Sequence, residues 1–212
     1  MSGFPLSRLL KGKLLRIAES QDAVITYLIG RGVEFVLHGG TAVWRIYGGK
    51  RISIDVDVYA ENPMGVVGVL KETFRVEKAG VTPAGVVYAR VLGNERVEVD
   101  VTPLPSALER VEGDYRLVDG GTIVVWTLAP EALLLEKARA YVERCKARDF
   151  YDVYYLLDLC RPEFSAEVSR MLLERLCEPS DMDALRELVL VGLPPSFPAF
   201  RRKVEKYAAA KV

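Results

Sequence analysis

The stretch Phe35–Tyr59, FVLHGGTAVWRIYGGKRISIDVDVY, decides the reading of this chain. An apolar run from Val33 to Leu37 breaks at Gly39-Gly40 and passes into a helical pattern from Thr41. Downstream, Ile54-Asp55-Val56-Asp57-Val58 alternates strictly between apolar and acidic residues. Successive strand side chains point to opposite faces, so Asp55 and Asp57 share one face, roughly 6.6 Å apart. Ile54, Val56 and Val58 are expected in the core behind them. Two carboxylates that close repel each other unless a cation lies between them. Glycines ahead of a helix, followed by a metal-seeking pair of aspartates, point to nucleotide chemistry.

Gly39-Gly40-Thr41 is placed at a strand-to-helix turn. Helix N-termini present free backbone N–H groups, and glycine lets a phosphate approach them. The plain alternative is a tight turn with Thr41 near an N-cap. Taken alone, Asp55 and Asp57 fit a solvated edge strand or the metal-binding pair of a glycosyltransferase. A second acidic strand bears on that choice. In Arg96–Val101 (RVEVDV), Val97, Val99 and Val101 form one face, and Arg96, Glu98 and Asp100 the other. A neighbouring strand could place a third carboxylate beside the pair. Three carboxylates can hold two divalent ions about 3.5–4 Å apart, the arrangement suited to phosphoryl transfer. Asp100 is preferred as third ligand, being nearer the strand's C-terminal end, and Glu98 competes with it.

Working outward, residues 5 to 30 read as an amphipathic helix, with a possible break near Ser20-Gln21-Asp22. A short helix follows the acidic strand from Pro63. Strands are expected at Phe74–Lys78, Gly85–Val91 and Arg96–Val101, then two more about Gly120-Gly121. From Pro130 the pattern is helical, with segments at Glu131–Arg144, Asp149–Leu159, Glu163–Leu176, Asp181–Val191 and Phe197–Ala210. The expected fold is α/β (α+β): a twisted mixed β-sheet with flanking helices over residues 1–126, then a helical part over 127–212.

Within the helical part, Lys137 lies among Leu133, Leu134, Leu135, Ala138 and Ala140, so it either snorkels to solvent or reaches an anion. Asp149 and Asp152 in KARDFYDVYYLL are spaced i, i+3, which a helix cap with an acidic third residue also explains. His38, the only histidine, ends the first strand and either lines the site or packs.

Composition narrows the class. The chain has 212 residues, half of them hydrophobic, enough for a substantial core. No apolar run reaches 18 residues and Met1–Pro5 shows no signal-peptide pattern, so a soluble cytoplasmic protein with no membrane partner is expected. The charges balance at 29 against 29, which argues against coating nucleic acid non-specifically. Basic clusters remain at Lys50-Arg51, Arg144–Arg148 and Arg201–Lys203. Three widely spaced cysteines with no CxxC argue against a disulfide or a zinc site, and reduced cysteines near a helical core are expected. One glutamine and two asparagines among many charged residues is a thermophile tendency.

GGTAVWRIYGGKRISIDVDVY resembles the glycine turn and DxD motif of the minimal nucleotidyltransferase superfamily. With EKARAYVERCKARDFYDVYYLL downstream, the chain is similar to the AbiEii/AbiGii-type nucleotidyltransferases, a family that contains toxins of bacterial and archaeal toxin–antitoxin systems. Many superfamily members carry Gly-Ser where this chain has Gly40-Thr41. The resemblance implies a Mg²⁺-dependent enzyme that moves NMP from an NTP to an acceptor hydroxyl of RNA (a tRNA end) or protein. Gly39, Gly40 and Thr41 would hold triphosphate. Asp55, Asp57 and Asp100 would bind two Mg²⁺, and Lys137 would meet phosphate charge. Arg51 and Ser53 match the R-x-S lead-in, and Asp149 and Asp152 match the RD-x-x-D helix. A cognate antitoxin is an implied partner. The alternative in another class is a non-catalytic nucleotide-binding or partner-docking relative.

Overall fold

β-strands form where the sequence alternates. In the computed structural model, which describes residues 5–210, the acidic stretch is strand β2 (Asp55–Ala60) and RVEVDV opens β5 (Arg96–Pro103). The signal-peptide reading at residues 1–4 lies outside the described residues. Around these two strands lie β1 (Val36–His38), β3 (Arg75–Val81), β4 (Val87–Leu92), β6 (Val111–Arg116) and β7 (Thr122–Thr127). The described residues build one seven-stranded mixed sheet of order β3-β4-β5-β2-β1-β7-β6. β2 runs parallel to β5 and β1 parallel to β7, while the other pairs are antiparallel. Val56, Val58, Val97, Val99 and Val101 are buried, each contributing roughly 1.5–3 kcal/mol through removal from water. Ile54 departs from expectation: it precedes the strand and stays 39% exposed.

Helices α1 (Gly12–Gly30), α2 (Gly39–Arg45) and α3 (Pro63–Lys71) complete this unit, with a 3-10 turn at Leu6–Arg8. α1 is continuous through Ser20-Gln21-Asp22, without the break that its sequence allows there. These polar residues do not interrupt the helix because each finds buried work across it. Ser20 Oγ accepts the Glu95 N–H at 2.9 Å, and Asp22 accepts from Tyr115 Oη and the Val118 N–H. Asp22 also pairs at 2.9 Å with Arg45, a fully buried arginine stacked on Trp44.

Residues from Ala129 onward form a second compact unit, joined by Gly49–Arg51 from the segment ahead of β2. It holds α4 (Pro130–Arg144), α5 (Ala147–Leu156), α6 (Pro162–Leu173), α7 (Met182–Leu188) and α8 (Phe197–Ala208). Proline at the first helical turn starts α4, α6 and α8, where its missing N–H removes no helical bond. Tyr141, Phe150 and Phe200 stack in its core, with Phe150 and Phe200 centroids 4.6 Å apart. Arg51 bridges Val189, which attaches the Gly49–Arg51 segment to this unit.

The cysteines overturn the sequence expectation. Cys145 and Cys177 form a disulfide, and Cys160 is a buried free thiol. Cys145 ends α4 and Cys177 follows α6, so helix packing juxtaposes residues 32 apart. No helix among the described residues is long and apolar enough to cross a membrane.

Candidate active site

Strand order brings the acidic residues together in the sheet unit. Parallel pairing sets Asp57 beside Asp100 and Asp55 beside Glu98, while antiparallel pairing sets His38 beside Asp57. Paired residues on neighbouring strands lie about 4.8 Å apart. Glu98 accepts from Arg90 Nε at 2.6 Å across the sheet, so the register and this pairing favour Asp100 as third carboxylate. Asp55, Asp57 and Asp100 are all half-buried, with Val56 and Val99 behind them at full burial.

Gly39 fits closely against this cluster. Its φ is +66°, and a Cβ there would lie 2.1 Å from Asp57 Oδ2. Any side chain at position 39 would displace the aspartate as well as strain the backbone. His38 is the N-cap residue of α2, and Thr41 is the helix's third residue. Thr41 is fully buried and its hydroxyl donates to the Asp55 carbonyl. That bond fastens α2 to the start of β2. Ser53 is buried, and His38 stacks on Tyr59 with centroids 3.9 Å apart.

Sequence reasoning missed Gln21. Its Nε2 donates to the Ser53 and Asp55 carbonyls at 2.9 and 3.1 Å, so α1 grips the lead-in to the acidic strand. The only signal was that the chain's one glutamine stands among the apolar positions of a helix.

A second group of candidate residues assembles in the helical unit. Asp152 is fully buried and takes two bonds from Arg51, Nε to Oδ1 at 2.7 Å and Nη2 to Oδ2. Lys137 Nζ lies 3.0 Å from Asp152 Oδ2 and 3.7 Å from Asp149 Oδ1. The anion that Lys137 reaches within this unit is thus a pair of carboxylates. Asp149 also accepts from Arg144 Nε and Nη2, at 2.7 and 2.9 Å, a pairing the sequence reading, which placed Arg144 only in a basic cluster, did not foresee. The capping explanation for Asp149 does not hold. Asp149 is the third residue of α5, and the Ala147 N–H at the helix start is satisfied by Asp181 Oδ1.

Burial alone would raise the Asp152 carboxyl. The Arg51 guanidinium and the Lys137 ammonium outweigh it and hold the group below its ordinary value near 3.8. A lowered carboxyl pKa contributes stability that is present above the unfolded value and lost progressively as pH falls from there through the lower folded value. Asp22 behaves oppositely, since burial raises it despite Arg45 and the Val118 N–H. Its contribution is greatest below pH 3.8 and fades as pH rises through the raised folded value. Hydrogen exchange followed by acid titration should therefore show α4 and α5 losing protection as pH drops below about 4. Protection of α5 that is flat from pH 7 to 3 would contradict this assignment.

The donor set of the sheet unit suits a hard divalent cation: carboxylate oxygens from Asp55, Asp57 and Asp100 on one face of neighbouring strands. Among the described residues, no three His, Cys, Asp or Glu side chains converge closely enough to hold a metal as they stand. The chemistry of the donors fits such an ion, and two of the three are directly paired.

A groove of about 360 Å³ lined by Ile29, Val33, Phe35 and Trp126 opens at the opposite end of β1 from His38 and contributes nothing to this cluster.

Comparison with known proteins bears on the fold and the family. No curated protein sequence matches the chain. Its fold is similar to that of a proposed nucleotidyltransferase from H. pylori, at 17% identity and a TM-score of 0.63, over 93% of this chain and 96% of that one. It is similar also to MenT4, a nucleotidyltransferase toxin of Mycobacterium tuberculosis H37Rv, at 17% identity and 0.62, over 98% and 89%. ANT(2'')-Ia in complex with adenylyl-2''-tobramycin aligns at 13% identity and 0.53, over 74% and 97%. At such identities these likenesses speak for the fold alone. The family profile described as nucleotidyl transferase AbiEii toxin, type IV toxin–antitoxin system, matches residues 29–209, which include every candidate residue from Gly39 to Asp152. By that match the chain belongs to the AbiEii family of nucleotidyltransferase toxins.

Proposed function

We propose that this transferase moves NMP from an NTP to an acceptor hydroxyl of RNA, such as a tRNA end, or of protein, and releases pyrophosphate. The observation that carries the proposal is the in-register pairing of Asp57 with Asp100, beside a glycine that admits no side chain. The acceptor oxygen forms a bond to the α-phosphorus as the bond from that phosphorus to the bridging oxygen breaks. The hydroxyl proton passes to a carboxylate oxygen of Asp100, which also orients the acceptor. Asp55, Asp57 and Asp100 would hold two Mg²⁺, which supply Lewis-acid charge against the phosphates when bound. Gly39, Gly40 and Thr41 at the start of α2 are assigned to the triphosphate, and Arg51 and Ser53 to its approach.

Lys137, Asp149 and Asp152 are assigned to nucleotide binding as one cluster with Arg51. Counting Arg144, its five named side chains carry three cations and two carboxylates. In this reading Lys137 supplies the cation that meets the phosphates, and Asp149 and Asp152 orient it. ANT(2'')-Ia was solved with an adenylylated product, which is consistent with nucleotide transfer to a hydroxyl on this fold. The family's toxin–antitoxin setting supports a cognate antitoxin as partner.

The test separates the two acidic residues of β5. Pyrophosphate release from each NTP in Mg²⁺ should fall roughly 100-fold or more in Asp100→Asn. Glu98→Gln removes the pair with Arg90, a half-exposed contact worth at most about 1 kcal/mol, and should change the rate less than about five-fold. Equal losses in the two variants, or full activity in Asp100→Asn, would sink the role given to Asp100.

A further inference from the structure

We propose that the Cys145–Cys177 disulfide is a redox-sensitive clasp, which when closed holds Arg144 on Asp149 and thereby sets the Lys137 cluster for nucleotide transfer. The proposal rests on the role given above to that cluster. Four observations within the helical unit support it.

Cys145 is the hinge residue between α4 and α5, and Arg144 immediately before it makes the two-donor bond to Asp149. Its φ of +48° makes it the one non-glycine residue with positive φ among the described residues. Such a conformation persists only where its surroundings hold it.

Those surroundings converge on Cys177. The Tyr141 hydroxyl accepts the Cys177 N–H at 2.9 Å and donates to the Cys177 carbonyl, while the Cys145 N–H donates to the Tyr141 carbonyl at 2.8 Å. Four residues further along, Asp181 receives the N–H of Ala147 at 2.9 Å. The segment from Cys177 to Asp181 therefore straps the end of α4 and the start of α5 at two points, one of them covalent.

The strap is reachable and selective. Cys145 and Cys177 are half-buried, whereas Cys160 is 8% exposed and burial pushes its thiol up to about 12. A dithiol can attack the disulfide, and Cys160 stays out of the exchange. The balance is two electrons and two protons. The protein's S–S bond breaks, thiols form at Cys145 and Cys177, and the dithiol closes to its own disulfide.

Opening the strap frees the residue that orients Arg144. Arg144, which is 43% exposed at its side chain, then leaves Asp149 more readily. Asp149 and Asp152 together position Lys137, so loosening one corner of the cluster misplaces its cations.

The experiment uses the full-length protein, air-oxidised or treated with dithiothreitol, alongside Cys177→Ser, Cys145→Ser and Cys160→Ser. Thiols counted after denaturation should number about one in the oxidised protein and about three after reduction, as the pairing requires. Reduction should lower the melting temperature by roughly 5–15 °C. Well below that melting point it should slow transfer roughly 10- to 100-fold, and reoxidation should restore the rate. Cys177→Ser and Cys145→Ser should match the reduced protein and ignore dithiothreitol, while Cys160→Ser should respond as the wild type does. Hydrogen exchange over Ala147–Asp152 reads the clasp without any reaction: reduction should speed it. Three thiols in the oxidised protein, or unchanged exchange on reduction, would overturn the clasp, whether or not any NTP is used. Faster exchange with an unaltered transfer rate would overturn the link to activity.

Discussion

Asp57→Asn is expected to lower nucleotide transfer by roughly 10³-fold while leaving the fold intact. Asparagine keeps the shape that packs over Gly39 and removes the charge. Asp57 is the residue where the acidic cluster converges, with Asp100 beside it on β5 and His38 beside it on β1. Under the proposed reading, that carboxylate is an oxygen donor to the divalent cation, and its loss weakens the cation's hold. The backbone of β2 keeps its partners on both sides, so the circular dichroism spectrum and the melting temperature should move little. A variant that retains more than a tenth of the wild-type rate would remove Asp57 from the reacting centre.

Asp152→Ala is expected to destabilise the helical unit by about 3–5 kcal/mol, the usual consequence of removing one partner from a buried ion pair. Asp152 is fully buried and faces both Arg51 and Lys137, whose side chains are 4% and 9% exposed. Removing it leaves two cations in a site that water does not reach. The exposed pair Arg161–Glu131 offers the contrast: with the arginine side chain 76% exposed, Arg161→Ala should cost less than about 1 kcal/mol. Urea unfolding followed through the helical signal measures both. A loss below about 1 kcal/mol for Asp152→Ala would show that the cluster adds nothing to stability. For the same reason Lys137→Met, which keeps the apolar stem, should lower stability as well as NTP use, since it strips a cation from between two carboxylates.

The strands that carry the site were legible because a half-buried strand prints its own burial on the sequence. Asp55-Val56-Asp57-Val58 and Glu98-Val99-Asp100-Val101 alternate, and the structure buries the valines and leaves the acids half-exposed. Proline and glycine positions marked the helical part just as openly, from Pro130 to Phe197. Pairing was not legible. Nothing local in β2 or β5 says that they run side by side and in parallel, because register depends on the whole sheet. That pairing sets Asp100 beside Asp57 and Glu98 beside Asp55.

Polar residues inside helices were the harder case. Ser20, Gln21 and Asp22 read as a break because polar side chains usually face water. Here their partners come from the start of β2, from Glu95 just ahead of β5, and from β6, all remote in sequence. The Arg144–Asp149 pair and the disulfide were hidden similarly. Cys145 and Cys177 meet only because α4 and the segment after α6 pack together, and an odd number of cysteines argued against any pair.

The proposed reaction transfers the α-phosphoryl group of the NTP, as NMP, with loss of pyrophosphate. Parallel incubations with NTP labelled at the α- or the γ-phosphate, in Mg²⁺ with total RNA or protein as acceptor, test it most directly. Label from the α-position should appear in the acceptor and label from the γ-position only in pyrophosphate, and Asp57→Asn should show neither. Transfer of the γ-label to the acceptor, or no α-label in either acceptor from any NTP, would contradict the account.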